Sequence, residues 1–195
     1  MRPTRPQKKP SKATGQIRII GGRWRGRKLP VLDLEGLRPT TDRLKETLFN
    51  WLQFGCADAR VLDAFAGAGS LGIEALSRGA TQAVFVERSA PAAAQLKENL
   101  RRLEAESFTE VNCTETRTYL NTPQTPFDLV FLDPPFHQKL LPNTIAQLVS
   151  MEAVSRSSWV YIESEHPLPY EAPANWHLHR EKLAGQVCCR LYQVY

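Results

Sequence analysis

The residues best suited to chemistry form a tetrad, Asp133-Pro134-Pro135-Phe136, at the end of an apolar run. Two consecutive prolines fix the backbone and remove two N–H donors, so the Asp133 carboxylate and the Pro134 carbonyl can converge as acceptors on one amino group. Phe136 offers a flat face to a planar heterocycle. An amino group conjugated to such a ring is a poor nucleophile, and clamping it in line with an activated methyl group would contribute mainly by positioning. Asp133 could also accept the released proton, and this chemistry needs no metal.

A glycine-rich turn forms the second candidate site. Gly67, Gly69 and Gly72 satisfy the GxGxxG spacing where a predicted strand ends and a helix begins, which lets the backbone approach a ligand. Glu87, at the end of the next predicted strand, could bind both hydroxyls of a ribose. These features alone also fit an NAD-dependent oxidoreductase. Asp63, at the end of the first of these strands, would repel a pyrophosphate, whereas it suits S-adenosylmethionine, which carries an ammonium group and no phosphate.

The elements that must position these sites alternate between strand and helix. Apolar runs predict strands at 60–63, 83–87, 110–113, 129–132 and 159–163, with helical patterns at 71–78, 90–103, 116–120 and 140–148. This alternation predicts a parallel sheet covered on both faces. The segments 176–182 and 187–195 lack a helix between them and predict an antiparallel hairpin. The pattern resembles the Rossmann-like class I fold of S-adenosylmethionine-dependent methyltransferases: α/β, with a mostly parallel seven-stranded sheet, a terminal antiparallel hairpin and a small N-terminal β-hairpin.

The positive charge is concentrated at the start of the chain. Residues 1–30 contain ten Lys or Arg and no acid, so the rest of the chain carries 15 basic and 20 acidic side chains. This polarity is typical of a phosphate-binding arm on an acidic enzyme body, although a solvated basic tail is the alternative for residues 1–15. We expect a flexible basic tail at 1–15, a basic hairpin at 16–36 and one domain at 37–195. The predicted nucleic-acid contacts are Arg18, Arg23, Arg25, Arg27 and Lys28, with Trp24 offering an aromatic face to a base.

Composition limits the remaining function classes. No apolar run approaches the ~20 residues of a membrane span. Four scattered cysteines without a CxxC pair predict free thiols, a cytoplasmic protein and no zinc or other metal. Nothing in the sequence requires a dimer, so we expect a monomer. Arg38 precedes a helical pattern in which Leu44, Leu48, Phe49 and Leu52 recur every three or four residues. It is expected at the mouth of the active site, in contact with phosphate or substrate.

The glycine loop and the tetrad each resemble a methyltransferase motif. The run from Asp63 to Gly69 resembles the cofactor motif of these enzymes, which implies that Asp63, Phe65 and the loop glycines hold the methionine moiety. Glu87 would then bind the ribose and Arg88 would flank the adenine. Glu115 and Thr116 follow the third strand of the predicted sheet, where this fold usually offers Asp or Asn and then Ala to the adenine. The tetrad resembles the Asp/Asn-Pro-Pro-aromatic signature of enzymes that methylate adenine N6, guanine N2, cytosine N4 or protein glutamine.

Longer stretches make the resemblance specific. The chain resembles the RsmD family of bacterial 16S ribosomal RNA guanine-N2 methyltransferases over roughly residues 15–195. The matching stretches are 15–22, 24–30, 37–43, 46–52, 63–76, 133–136, 178–182 and 185–187. The resemblance implies methylation of N2 of guanine 966 in 16S rRNA, with the rRNA or the small ribosomal subunit as partner. The target guanine must then be in a loop or flipped out to reach the cofactor.

Three alternatives remain open at this point. A DNA adenine-N6 or protein glutamine methyltransferase would use the same tetrad, although 195 residues leave no room for a separate base-recognition domain. An NAD-dependent oxidoreductase would use the glycine loop. A non-catalytic RNA-binding protein would retain the enzyme fold without its activity.

Overall fold

The computed structural model describes residues 13–32, 42–53 and 55–195, and Arg38 lies outside these ranges. Nine strands and five α-helices occur in the described ranges. The strands are β1 (Ala13–Arg18), β2 (Lys28–Leu32), β3 (Arg60–Asp63), β4 (Gln82–Val86), β5 (Thr109–Asn112), β6 (Phe127–Leu132), β7 (Val154–Glu165), β8 (Trp176–Ala184) and β9 (Val187–Val194). The helices are α1 (Asp42–Trp51), α2 (Ser70–Ser77), α3 (Ala90–Arg102), α4 (Thr116–Leu120) and α5 (Leu140–Ser150).

The central sheet has seven strands in the order β5-β4-β3-β6-β7-β9-β8. Strands β3 to β7 are parallel, whereas β9 runs antiparallel to both β7 and β8. The prediction of a mostly parallel α/β sheet with a terminal antiparallel hairpin is therefore confirmed. The chain reverses direction across the sheet between β3 and β6, which lie side by side. The crevice outside the carboxyl ends of strands at such a switch point is where ligands bind in open α/β sheets.

Both faces of the sheet are buried, as the continuous apolar runs require. Alternate residues of one strand enter different cores: Val61 packs on the face of α1, α2 and α3, and Leu62 packs on the opposite face against α5. Both side chains are fully buried. Because buried parallel strands are apolar on both faces, the strands read as short hydrophobic runs rather than as alternating patterns.

The N-terminal hairpin of β1 and β2 is part of the main core. Ile17 and Leu29 belong to the same buried cluster as the residues of α2 and α3. Strand β1 begins at Ala13, so the predicted tail at 1–15 overlaps it by three residues. The hairpin is therefore a fixed element of the fold rather than an appended arm.

Candidate active site

Three carboxylates meet where the central parallel strands end. Asp63 ends β3, Glu87 directly follows β4, and Asp133 directly follows β6. Asp63 pairs in register with Phe85 of β4 and Phe131 of β6, so the three acids lie on one edge of the sheet. We call this the carboxyl edge. The glycine loop and the tetrad, which the sequence separates, are thus neighbours across two adjacent strands.

Glu87 holds the glycine loop closed. Its Oε2 accepts a hydrogen bond from the Gly67 N–H at 2.8 Å, and its Oε1 accepts one from the Ser89 N–H at 2.6 Å. Gly67 and Gly69 have positive φ angles of 52° and 76°. A side chain at Gly69 would also place its Cβ 2.4 Å from a methyl carbon of Leu96. The loop therefore needs glycine at position 69 for its backbone conformation and for its packing on α3.

Asp63 is a buried carboxylate beneath the start of α2. Its side chain is 2% exposed, and its Oδ2 accepts a hydrogen bond from the Gly72 N–H at 3.0 Å. Burial raises the pKa of Asp63 to about 7, the Gly72 bond opposes this rise, and the charge of Glu87 adds to it. A carboxylate held in this way gains from a cationic partner, because a nearby positive charge favours the ionised form.

Ser70 is a further candidate site residue, which the sequence analysis did not name. Its Oγ is buried and has no hydrogen-bond partner within the described part of the chain. Ser70 is the first residue of α2, directly after Gly69. A buried hydroxyl without a partner at a helix N-terminus is suited to a ligand acceptor such as a carboxylate. A hydroxyl next to the GxG turn is the signal that could have identified it.

The predicted cofactor contacts Thr116, Glu115, Arg88 and Phe65 differ in their burial. Thr116 is buried, and its hydroxyl donates a hydrogen bond to the Ala64 carbonyl. It therefore anchors α4 to the loop after β3, and its contact with the cofactor stays a prediction. Glu115 is exposed at the start of α4 and makes no capping hydrogen bond. Arg88 is exposed beside Glu87, and Phe65 packs half-buried against the core near α5.

The tetrad follows β6 without a break. Pro134 is buried, whereas Asp133 and Phe136 are half-buried at the carboxyl edge. The next residue, His137, has a φ of 64° and donates its backbone N–H to Glu165 Oε1 at 3.1 Å. Since Glu165 ends β7, this bond ties the segment after the tetrad to the neighbouring strand. The tetrad is therefore fixed at both of its ends.

A second carboxylate stands beside the tetrad, and the sequence analysis missed it. Glu163 of β7 is 7% exposed, and its Oε2 accepts a hydrogen bond from the Tyr161 hydroxyl at 3.1 Å. Burial raises the pKa of Glu163, and the Tyr161 bond opposes that rise. Burial is the largest cause that raises the pKa of Tyr161, and the charges of Glu163, Cys189 and Asp133 raise it further, in that order. The tyrosine hydroxyl therefore lies within electrostatic reach of both acids.

The basic hairpin presents most of its predicted nucleic-acid contacts to solvent. Arg18, Arg25 and Lys28 are exposed, and exposed Arg27 donates from Nη2 to the Arg102 carbonyl at 2.6 Å. The prediction for Trp24 is wrong. Its indole is 8% exposed and stacks on Phe108, with the Arg23 guanidinium 4.0 Å from the indole centroid and 4.8 Å from the Phe108 centroid. The ring is thus a core anchor, and Arg23 is partly held by two aromatic faces.

Glu74 of α2 fastens the hairpin to the cofactor-loop helix. Its buried carboxylate accepts backbone N–H bonds from Ile20 and Gly21, both at 2.8 Å, and a bond from Arg78 Nε at 2.8 Å. One turn later, Ser77 Oγ accepts the Trp24 N–H at 3.0 Å and donates to the Gly21 carbonyl at 2.6 Å. The helix that begins at the glycine loop therefore also carries the basic hairpin.

Neither a membrane-spanning helix nor a metal-binding cluster occurs among the described residues. They include no helix that combines the length and apolarity of a membrane span. They also include no group of three or more His, Cys, Asp or Glu side chains arranged to hold a metal ion.

Comparisons with known proteins agree on one kind of enzyme. A family model described as conserved hypothetical protein 95 matches residues 17–193. Ribosomal RNA small subunit methyltransferase D of Escherichia coli strain K12 is 52% identical over 189 residues, covering 95% of this chain and 94% of that protein. The protein of the same name from Haemophilus influenzae is 49% identical over 184 residues, covering 93% and 95%. The solved structure of a putative methyltransferase from Escherichia coli matches with a TM-score of 0.85 and 50% identity, covering 92% of this chain and 98% of that one.

These similarities establish the fold and the cofactor. The fold is the Rossmann-like class I fold of S-adenosylmethionine-dependent methyltransferases, and S-adenosylmethionine is the cofactor. The NAD-dependent alternative is thereby removed. The donor set at the carboxyl edge fits this cofactor, because it combines the buried Asp63 carboxylate and the Ser70 hydroxyl with a loop open to close approach.

Proposed function

Because the chain belongs to the family of the ribosomal RNA small subunit methyltransferase D proteins, we propose that it methylates N2 of a guanine in 16S rRNA, guanine 966. The observation that carries the proposal is the adjacency of two strand ends. Strand β6 ends at the tetrad directly beside β3, which ends at Asp63 and the glycine loop. An amino group bound by the tetrad would therefore lie next to the cofactor that the loop binds.

In this mechanism the tetrad orients the amine. The Asp133 carboxylate accepts one N–H and the Pro134 carbonyl accepts the other, which directs the nitrogen lone pair toward the methyl donor. Phe136 stacks on the base. Bound S-adenosylmethionine supplies a methyl group that is already activated by its positive sulfur. Asp133 then accepts the proton that the nitrogen loses, directly or through water.

The cofactor contacts follow from the geometry of the glycine loop. Asp63 would hold the cofactor's ammonium group, and Ser70 would donate to its carboxylate at the N-terminus of α2. Glu87 would bind the ribose hydroxyls while keeping its bond to the Gly67 N–H. Glu115 and Arg88, both exposed near the same edge, remain the proposed adenine neighbours.

The hairpin would bind the rRNA backbone. Arg18, Arg25, Arg27 and Lys28 are exposed on one element that carries no acid, so we assign them to phosphate contacts whose affinity falls with salt. Arg23 contributes its charge from between two rings. The partner is the 16S rRNA or the small ribosomal subunit, which puts the reaction in the cytoplasm, and the enzyme acts as a monomer.

The decisive experiment transfers a labelled methyl group from S-adenosylmethionine to small-subunit RNA that lacks the modification. The product is digested to nucleosides and the labelled position is mapped. We expect label in N2-methylguanosine at guanine 966. Label in N6-methyladenosine, or in protein, would favour the other members of the amino-methyltransferase class and remove the guanine assignment.

A single substitution tests whether the chain is catalytic. Asp133→Ala should abolish methyl transfer while the affinity for S-adenosylhomocysteine, measured by calorimetry, remains close to that of the parent. Loss of both would indicate misfolding at the carboxyl edge. Undiminished transfer would remove Asp133 from the mechanism, and a parent protein that binds RNA without transfer would be a non-catalytic RNA-binding protein.

A further inference from the structure

A polar row crosses the sheet beside the tetrad. The register between β6 and β7 ends with the pair Leu132 and Ile162, so Asp133, directly after β6, and Glu163 of β7 are the next residues along. Glu163 pairs with Cys189 of β9, and Cys189 pairs with Lys182 of β8. Since side chains at matched positions of adjacent strands project to the same face, Asp133 and Glu163 stand side by side at the carboxyl edge.

Glu163 is a buried member of this row, unlike a charged residue at a solvent-exposed strand end. Its side chain is 7% exposed, and the Tyr161 hydroxyl that donates to its Oε2 is itself 1% exposed. A buried carboxylate needs donors, because an acceptor removed from water without a partner is costly. The Tyr161 hydroxyl supplies one such donor to Oε2, and a substrate N–H would supply a second donor to the same carboxylate.

Nucleobases differ in what they present beside the reacting amine. In guanine the exocyclic N2 amine is adjacent to N1–H, which is a donor. In adenine and in cytosine the exocyclic amine is adjacent to a ring nitrogen that carries a lone pair. A carboxylate next to the amine clamp would accept a hydrogen bond from guanine, but would face a second acceptor in the other two bases. Sites that bond a particular donor discriminate strongly against analogues that lack it.

We propose that Glu163 is a specificity-determining residue that accepts a hydrogen bond from guanine N1–H while Asp133 and the Pro134 carbonyl hold the N2 amine. This inference rests on the proposed guanine-N2 function and adds the group that selects the base. Three acceptors on one row and its adjoining turn then match the three N–H hydrogens of the guanine edge. Tyr161 serves as the positioning residue, because its hydroxyl fixes the Glu163 carboxylate.

The test compares two target bases in two proteins. Synthetic small-subunit RNA carries either guanine or 2-aminopurine at the target position; 2-aminopurine keeps the 2-amino group but has a lone pair at N1. The measured quantity is kcat/KM for each RNA at one fixed pH of about 8. For each protein, kcat/KM with guanine is divided by kcat/KM with 2-aminopurine. The resulting ratio for Glu163→Gln is then divided by the ratio for the parent, so that the intrinsic reactivity of each amine cancels.

We expect the parent to favour guanine, and Glu163→Gln to reduce that preference by about 10- to 100-fold, as for loss of a hydrogen bond to a charged group. The glutamine can keep the Tyr161 bond through its oxygen and then turns N–H toward the base. The matched control is Glu165→Gln, two residues along the same strand, whose carboxylate already accepts the His137 N–H. Glu165→Gln should change kcat/KM for the guanine RNA and for the 2-aminopurine RNA by the same factor, so that their ratio stays as in the parent.

The outcomes separate the two proposals. A Glu163→Gln protein that binds S-adenosylhomocysteine normally and keeps the parental ratio would overturn the role of Glu163. If that variant does not bind, Glu163→Asp replaces it; its shorter carboxylate should lower the ratio by at least about threefold, and an unchanged ratio would likewise overturn the role. Methylation of neither base at N2 by the parent would instead refute the guanine-N2 function itself.

Discussion

Replacing Glu74 by alanine should detach the N-terminal hairpin from α2 and lower the free energy of unfolding by about 3–5 kcal/mol. The magnitude follows from the partners of the carboxylate. Its side chain is 1% exposed and accepts three N–H bonds at 2.8 Å, from Ile20, Gly21 and Arg78. Removing one member of a buried ion pair leaves the other uncompensated, and each backbone N–H left without a partner costs about 1–3 kcal/mol. Water can reach the half-buried turn, which keeps the total below the sum of these terms.

The assay is urea unfolding of the parent, Glu74→Ala and a matched control, Glu98→Ala on α3. Glu98 also accepts bonds from two arginines, Arg101 at 2.6 Å and Arg102 at 3.3 Å, but its side chain is 40% exposed. Exposed pairs of this kind contribute about 0–1 kcal/mol. Burial, rather than the number of contacts, therefore predicts the difference between the two variants.

Hydrogen exchange localises the effect. In Glu74→Ala the amides of Ile20 and Gly21 should exchange much faster, while amides in β6 and β7 should change only as far as global stability changes. If Glu74→Ala and Glu98→Ala unfold within about 1 kcal/mol of each other, the account of the docking is wrong. The account would also be contradicted if the amides of Ile20 and Gly21 exchanged as slowly in Glu74→Ala as in the parent.

Three further predictions concern the cofactor loop and the hairpin. Burial raises the pKa of Asp63 to about 7, so the affinity for S-adenosylhomocysteine, measured by calorimetry, should rise as pH increases through about 7. In Asp63→Asn this pH dependence of the affinity should disappear. Because the folded protein keeps a proton that the unfolded chain loses, Asp63 should also lower the free energy of unfolding as pH rises from about 4 to about 7. Gly72→Ala would put a Cβ 2.3 Å from the Phe85 ring and 3.2 Å from Asp63 Oδ2, and thermal unfolding should detect a loss of about 1–3 kcal/mol together with weaker cofactor binding. Arg25→Gln should reduce the magnitude of the slope of log affinity for rRNA against log salt by about 1, whereas Lys97→Gln, at an exposed position of α3, should leave the slope unchanged.

Features carried by local spacing could be predicted from the sequence. The glycine turn between a strand and a helix, and the tetrad after an apolar run, each fix their own backbone, so their positions at strand ends followed directly. Strand–helix alternation predicted the parallel sheet, and the missing helix between β8 and β9 predicted the reversed hairpin. These signals act within a few residues, where periodicity is informative.

Features that depend on distant partners could not be predicted. Trp24 was expected to face a base, but its burial depends on Phe108, more than eighty residues later. Thr116 was expected to contact the cofactor, and the sequence did not reveal its hydrogen bond to the Ala64 carbonyl at another strand end. Glu74 and Glu163 lay inside segments that the sequence identified only as helix and strand. Their roles come from docking and strand register, which single-sequence patterns do not contain.

The distribution of charge constrains how substrate reaches the site. Asp63, Glu87, Asp133 and Glu163 give the carboxyl edge a negative field, which favours the cationic cofactor and the donor edge of a base but repels phosphate. An RNA strand could enter only if its phosphates remain on a basic surface while one base is extended inward. The hairpin provides that surface, and Glu74 fixes it to α2, the helix whose first turn lies over Asp63. Under the proposed function, the separation of a basic surface from an acidic edge favours base flipping, because a stacked guanine would carry its phosphates into the repulsive field.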